Sequence, residues 1–416
     1  MESSRGIAPQ EKLRAAAFAA VCAIALLVSV PAQAQTAQQA APAPYSSILY
    51  DPAFTKDVRQ GLDYLYDMDF AGADAVFAQV AGRYPGHPVG PMLEALVDWW
   101  TILLEPDDTS QDEAFLAAMD EVIERSDRRL KADPRDVDAL FFKSGAHAFR
   151  GRLHADRKRW LRAARDGQQA MKYLQKVVER DPGNNDLYFG VGLFDYLADV
   201  APKQYRMLRP FKRLFPKGNR EQGLRELERA MNQGQFVSAE TAYSLLQIHY
   251  VFEKNYGQSL RYALWLRARY PGNSLFHLYE GRSYERLGRA GEASNVLRQV
   301  LDRYEKGQSG YTDSVAEQAL YVLSRLEMQH NQYDLALAHI DQLERLSSRR
   351  AVDTEYKALG RLRKGMALDA YGRRNEAVRC YKEVLGMKEG PDWVRDRAKT
   401  YIKKPFRDER VVSARK

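Results

Sequence analysis

From Pro52 onward, apolar residues recur at spacings of three and four, and nowhere does the chain alternate apolar and polar convincingly with a period of two. The pattern predicts helices throughout and no strand. Helix formers dominate, while glycine and proline stand as punctuation between the runs. A longer period lies over the short one. Gly61 is followed three residues later by Tyr64 and twelve later by Ala73; Phe77 comes four after that, and Pro85 closes the stretch. Related orders return at Gly281, Tyr284, Gly288, Ala293 and Leu297, and at Gly365, Leu368, Gly372, Ala377 and Tyr381. Gln247, Tyr250, Ser259, Ala263 and Pro271 give another copy, and Ser324, Tyr333, Ala336 and Ile340 one more. From Gln247 to Gly281 is 34 residues, a spacing typical of helical repeat arrays.

Such a unit is two antiparallel helices. Small residues sit where the backbones come closest, and aromatic or aliphatic residues fill the space on either side. Proline or glycine ends the second helix because neither propagates it well. One hairpin cannot bury its apolar stripe alone, so neighbours must stack. Through these residues the chain resembles the tetratricopeptide repeat superfamily over most of residues 55–390. Gly-x-x-Tyr and the Ala-x-x-x-aromatic twelve residues later are its signature positions. The resemblance implies an all-α, right-handed superhelical solenoid of antiparallel helix pairs, and a role in protein binding. The tryptophan expected early in the first helix is absent, and Val58, His277 and Arg361 stand there instead. The stretch Tyr188–Ala230 also resembles a subgroup, the tetratricopeptide repeat protein 39 and inclusion-body-clearance outer-membrane group, through Gly190-Val191-Gly192-Leu193-Phe194 and Arg220-Glu221-Gln222-Gly223-Leu224.

The array is expected over residues 51–390, with a capping helix and basic tail over 391–416. Ahead of it, Arg5, Lys12 and Arg14 precede an uncharged apolar run from Ala15 to Val30, and Ala32-Gln33-Ala34 is a small-x-small cleavage pattern. Residues 1–34 are therefore expected to be a signal peptide, with Gln35 the first mature residue. The run is shorter than the roughly 20 apolar residues of a spanning helix, and a retained N-terminal anchor is the alternative. Residues 35–50, rich in Ala, Gln, Pro and Ser, read as a flexible linker. Export points to the periplasm or cell envelope of a Gram-negative-type bacterium. Without residues 1–34 the sole cysteine is Cys380, so no internal disulfide forms. The net charge is +8, and removing the leader leaves +7. Behind an export signal this balance points away from nucleic acid and toward acidic proteins or lipid headgroups.

Two units are long. Gly145 and Ala170 are 25 residues apart, and Gly192 and Gly223 are 31 apart. Insertions are expected near 150–166 and 199–219, both between the helices of a unit. The second interleaves basic and large apolar residues: Lys203, Arg206, Arg209, Phe211, Lys212, Arg213 and Phe215, with no acid between Asp199 and Glu221. That composition suits an anionic membrane interface; it equally suits apolar side chains folded onto the array with solvated charges around them. The first insertion adds Arg152, Arg157, Lys158, Arg159 and Arg162.

The resemblance makes the face of the first helices the ligand surface. A carboxylate clamp of lysines and asparagines is not present at its usual positions, where Val58, Leu62, Ser244, Ile248, Leu278, Arg282, Leu362 and Met366 stand. The surface is expected to be mostly apolar, with Arg282 an isolated candidate contact. The seven histidines show no paired metal spacing. Gly-x-Ser-x-Gly is absent, and Gly190 and Gly192 follow no strand, so they read as helix packing. Cys380, beside Tyr381, is expected to be a buried structural thiol, and Trp99-Trp100 core residues on two faces of one helix. No cofactor and no catalysis are expected. The reading is a scaffold with protein partners; the alternative is a peripheral adaptor docking on anionic lipid.

Overall fold

The computed structural model describes residues 47–204, 218–350, 354–387 and 390–407. Among them are seventeen α-helices and no strand. They are α1 (Pro52–Tyr66), α2 (Phe70–Arg83), α3 (Val89–Leu104), α4 (Asp112–Ala132), α5 (Val137–Asp156), α6 (Trp160–Arg180), α7 (Leu187–Gln204), α8 (Arg220–Gln233) and α9 (Ser238–Gln247). α9 runs on into a single π-helical turn, Ile248–Phe252. There follow α10 (Tyr256–Arg269), α11 (Ser274–Arg286), α12 (Ala290–Glu305), α13 (Asp313–Gln329), α14 (Tyr333–Arg349), α15 (Glu355–Ala370), α16 (Arg374–Gly386) and α17 (Asp392–Lys403). The chain forms two compact units. One holds residues up to Leu103 with Thr109–Gly272, the other Leu104–Asp108 with residues from Asn273 onward.

Sequential helices pair as hairpins. α1 packs on α2, α5 on α6, α7 on α8 and α9 on α10 in the first unit; α11 on α12, α13 on α14 and α15 on α16 in the second. In the second unit each first helix also touches the next one, α11 with α13 and α13 with α15, and α17 closes the stack against α15 and α16. Small residues set the approach. The Gly61 backbone lies against the Phe77 ring, and Gly365 against the Tyr381 ring, so closely that a side chain would overlap it. Ala73, Phe77, Ala293, Ala377 and Tyr381 are all fully buried.

The hairpin turns share one backbone device. Met68, Lys158, Lys254, Gly288, Asn331 and Gly372 each take a left-handed conformation just past a first helix. In five of them the next N–H donates to a carbonyl five residues back: Asp69 to Tyr64, Arg159 to His154, Arg289 to Tyr284, Gln332 to Glu327 and Arg373 to Leu368; after Lys254, Asn255 donates to His249, six back across the π turn. This is the Schellman closure of a helix C-terminus. Glycine fits it without strain, yet four of the six turns use another residue.

The shared turn corrects the expectation for residues 150–166. They hold no loop insertion. α5 runs through to Asp156, α6 starts at Trp160, and Lys158 makes the ordinary turn between them. The extra length is helix, 20 and 21 residues in this pair against 15 and 14 in α1 and α2. Residues 205–217 of the second expected insertion lie outside the described residues, as do 1–46 and 408–416. The linker expected over 35–50 is also shorter than its composition implies. Ser47–Tyr50 form a cap and a 3-10 turn fixed to the array. The Ser47 hydroxyl and the Ile48 N–H donate to Asp138, and the Tyr50 hydroxyl to Asp181.

Candidate functional site

The signature residues take structural posts. Gly281 lies against Leu297, Tyr284 is half-buried under the Arg289 guanidinium, and Pro85 is exposed just past α2. Tyr64 departs from its expected core place: it is 37% exposed, because the ring filling the gap beside Gly61 is that of Phe77. Arg282, the candidate contact on the first-helix face, is only 4% exposed and donates to Gln318 on the next first helix. It braces the stack and is not presented to a partner. Lys203 is exposed and paired with Asp199. Arg206, Arg209, Phe211, Lys212, Arg213 and Phe215 lie outside the described residues.

The first unit encloses a space that no signature residue marks. α1 meets residues from the far end of the unit. Phe54 meets Phe236 at 6.0 Å between ring centroids, Tyr66 meets Tyr270 at 5.4 Å, and the Tyr270 hydroxyl donates to Asp63 at 3.0 Å. Asp67 then accepts the Gly272 N–H at 2.6 Å, 205 residues along the chain. Between α1, α3, α5, α6, α7 and the start of α9 a hollow of about 280 Å³ remains. Its walls are mostly carbon, Leu62, Trp100, Leu174 and Leu193 among them. Gly145 and Gly190 line it where side chains would shrink it. Phe149, Met171, Phe189 and Phe194 are only half-buried there, and Ala148 is exposed. The space sits just below the usual size range of ligand pockets, roughly 300 Å³ upward.

Three charged side chains reach this lining, Arg152, Asp186 and Glu240. Asp186 is committed to structure, accepting the N–H groups of Phe236 and Val237 at 2.9 and 3.2 Å. Glu240 lies 3.9 Å from Arg152, whose guanidinium sits 5.0 Å over the Trp99 ring. Burial pushes the Glu240 carboxyl up, against the attraction of Arg152.

Two further buried clusters look catalytic by composition and fail by geometry. His147 Nδ1 lies 2.9 Å from Asp166, and Arg150 Nε donates to both Asp166 oxygens at 3.0 Å. Burial would raise the Asp166 carboxyl, but His147 and Arg150 outweigh it and hold it below the usual range. No hydroxyl or thiol joins this set, and the imidazole is stacked on Tyr173. The cluster ties α5 to α6. In the other, Ser47, Asp138 and His87 meet, but the serine donates to the carboxylate at 2.5 Å and His87 Nε2 stands 3.5 Å from that same acid. An activated serine needs the imidazole as its base; here the acid lies between them, and the set anchors the 3-10 turn.

In the second unit Glu317 is 1% exposed, bonded by Ser347 and Thr354 and faced by Arg350. Burial pushes its carboxyl up to about 7, with Ser347, Arg350 and Thr354 opposing. The folded protein thus holds this proton more tightly than the unfolded chain, so stability falls as pH rises from about 4.5 to 7. Glu317→Gln is expected to remove that slope. Thermal melts of both proteins from pH 4.5 to 8 should diverge by up to roughly 2–3 kcal/mol, the native protein losing more.

Sequence reasoning missed the hollow. In the sequence Arg152 stands as one of the basic residues of the first expected insertion, and Glu240 in no motif. The available signal was the excess of phenylalanine on α5 and α7, at 141, 142, 149, 189 and 194, more than one helix contact stripe requires.

Hairpin after hairpin, closed by the same turn and locked by small residues against rings, defines a helical repeat protein. Within it, residues 280–351 match the tetratricopeptide repeat family model. Among solved structures the chain is similar to a tetratricopeptide repeat protein from Parabacteroides merdae, at 12% identity, 73% coverage of this chain, 97% of that one and a TM-score of 0.34. It is also similar to yeast Tom70, at 12% identity, coverage of 82% and 72% and a TM-score of 0.41. The tetratricopeptide repeat domain of P58(IPK) gives 14% identity, coverage of 85% and 99% and a TM-score of 0.24. No curated protein sequence matches the chain.

Proposed function

We propose that this protein is a non-catalytic tetratricopeptide repeat scaffold, exported to the periplasm or cell envelope, that binds partner proteins. The observation that carries the reading is the serial hairpin itself, stacked first helix on first helix around the matched residues 280–351. Such an array presents one long surface built from neighbouring repeats. In the second unit, Leu287, Leu335 and Tyr371 are exposed at or just past three hairpin turns. Single exposed leucines are ordinary on a surface, but three at like places along one stack make a candidate contact edge. A photoreactive residue at Leu335, in cells, is expected to cross-link one protein reproducibly, and Leu287→Ser with Tyr371→Ser to abolish the adduct. An N-terminus mapped to Gln35 in the recovered protein supports export; an intact Met1 in the soluble interior fraction overturns it.

One observation favours the second reading, a peripheral adaptor on anionic lipid. Leu161 is 77% exposed at the start of α6, among the exposed Lys158, Arg159, Arg162 and Arg165. Each basic residue near an anionic surface adds about 1 kcal/mol of attraction, and a projecting leucine can insert. Co-sedimentation with anionic vesicles that fades with salt, and that is lost on changing Leu161, Arg159, Arg162 and Arg165 to serine, establishes this reading. No sedimentation of the native protein leaves the scaffold alone.

A further inference from the structure

We infer that the hollow of the first unit is a binding site for an uncharged single-chain amphiphile, a medium-chain alcohol, its hydrocarbon chain in the apolar space and its hydroxyl on the Glu240 carboxyl. The case begins with size. The space of about 280 Å³ is close to twice the roughly 150 Å³ apolar cavity that takes up one benzene ring. By that scale it accepts roughly ten to twelve heavy atoms. A chain of that length also suits the lining, which is mostly carbon; a ligand polar throughout would lose its hydration there without recompense.

The head group is set by Glu240, which lines the hollow and is only 6% exposed. Arg152, at 3.9 Å, is too far to donate a hydrogen bond to it, and no other described residue donates to its oxygens. A buried carboxyl ordinarily has such a donor. The other polar groups of the lining do have partners: Asp186 accepts backbone N–H groups, and the Ser144 hydroxyl donates to the Ala170 carbonyl. A ligand hydroxyl supplies what Glu240 lacks. Burial pushes this carboxyl up; a hydroxyl donates to it as a carboxylate and accepts from it as an acid, so both states are met. The head is uncharged because the lining already holds both signs. An anion would face Glu240 and Asp186, and a cation would face Arg152, in a space with little water to screen either. Entry is available at the rim, where Ala148 is exposed and Phe149, Met171, Phe189 and Phe194 are half-buried.

The test is calorimetric titration of the full-length protein with 1-decanol, beside butylbenzene, an apolar body of like size without a hydroxyl, and beside decanoate and decylamine. Saturable decanol binding at one site is expected, with both charged probes at least about tenfold weaker. Ala148→Trp fills the mouth from an exposed position, and should abolish binding of decanol and butylbenzene while leaving thermal unfolding unchanged. Glu240→Leu should weaken decanol about three- to tenfold and leave butylbenzene no weaker, since a neutral hydrogen bond is worth about that factor. Glu240→Gln keeps a donor and an acceptor in the same place and should retain the decanol affinity, which keeps the test alive if leucine loosens the fold. No saturable decanol binding by the native protein, or binding that survives Ala148→Trp, overturns the site. Decanoate or decylamine binding as tightly as decanol overturns the uncharged head, and equal loss of decanol and butylbenzene in Glu240→Leu overturns its pairing with Glu240.

Discussion

Gly223→Ala is expected to destabilise the first unit by about 2–3 kcal/mol in urea titration, although alanine is the better helix former by about 1 kcal/mol. The sign follows from what the new methyl meets. It would stand 2.5 Å from the Tyr196 N and 2.7 Å from the Gly192 carbonyl oxygen, both backbone atoms of α7. A side chain could turn aside; a helix backbone must be pushed away bodily, and overpacking of this kind costs about 1–3 kcal/mol or more. Gly82 is the contrast, since nothing lies within 4 Å of its open face. Gly82→Ala should be neutral or gain a few tenths of a kcal/mol. If both substitutions stabilise, α7 and α8 do not cross this closely.

Asp166→Ala should cost more, about 3–5 kcal/mol, because it removes the buried carboxylate that pairs with His147 and with the half-buried Arg150. Asp120, the other partner of Arg150, is exposed, and Asp120→Ala should cost no more than about 1 kcal/mol. The pH dependence gives a second check. The Asp166 carboxyl lies below its usual range, with burial raising it less than His147 and Arg150 lower it. Its contribution is therefore complete above the unfolded value near 3.8 and is lost as pH falls through the folded value. The native protein should lose stability in that acid window, and Asp166→Ala should lack that part of the loss. A substitution that leaves stability intact would mean the cluster is kept for something other than holding α5 to α6.

Much of this protein could be read from its residues in order. The spacing of Gly61, Ala73 and Phe77, and of Gly365, Ala377 and Tyr381, stated both the hairpin and its contact, because in a helix a residue's number fixes the face it stands on. Past the last hairpin, α17 spans Asp392–Lys403 and packs on α15 and α16. The turn between α5 and α6 was not legible. Its left-handed residue is Lys158, where the α11–α12 and α15–α16 turns use Gly288 and Gly372, so no glycine marked the stop, and two long helices read as an insertion. The Schellman bond that makes the turn is formed by backbone alone, and lysine leaves no mark of it.

What the sequence by itself determined, then, is the repeated element: local periodicity and small-residue positions act within some 34 residues, the length over which one hairpin forms. What only the tertiary structure decided is the use of the surfaces. Arg282 and Arg152 are both arginines on first helices, yet one braces Gln318 inside the stack and the other lines a hollow. The hollow has α1 as a wall, and α1 is held to Tyr270 and Gly272, more than 200 residues away. Contacts of such separation depend on the summed rotations of every hairpin between them, a quantity that no short stretch of residues encodes.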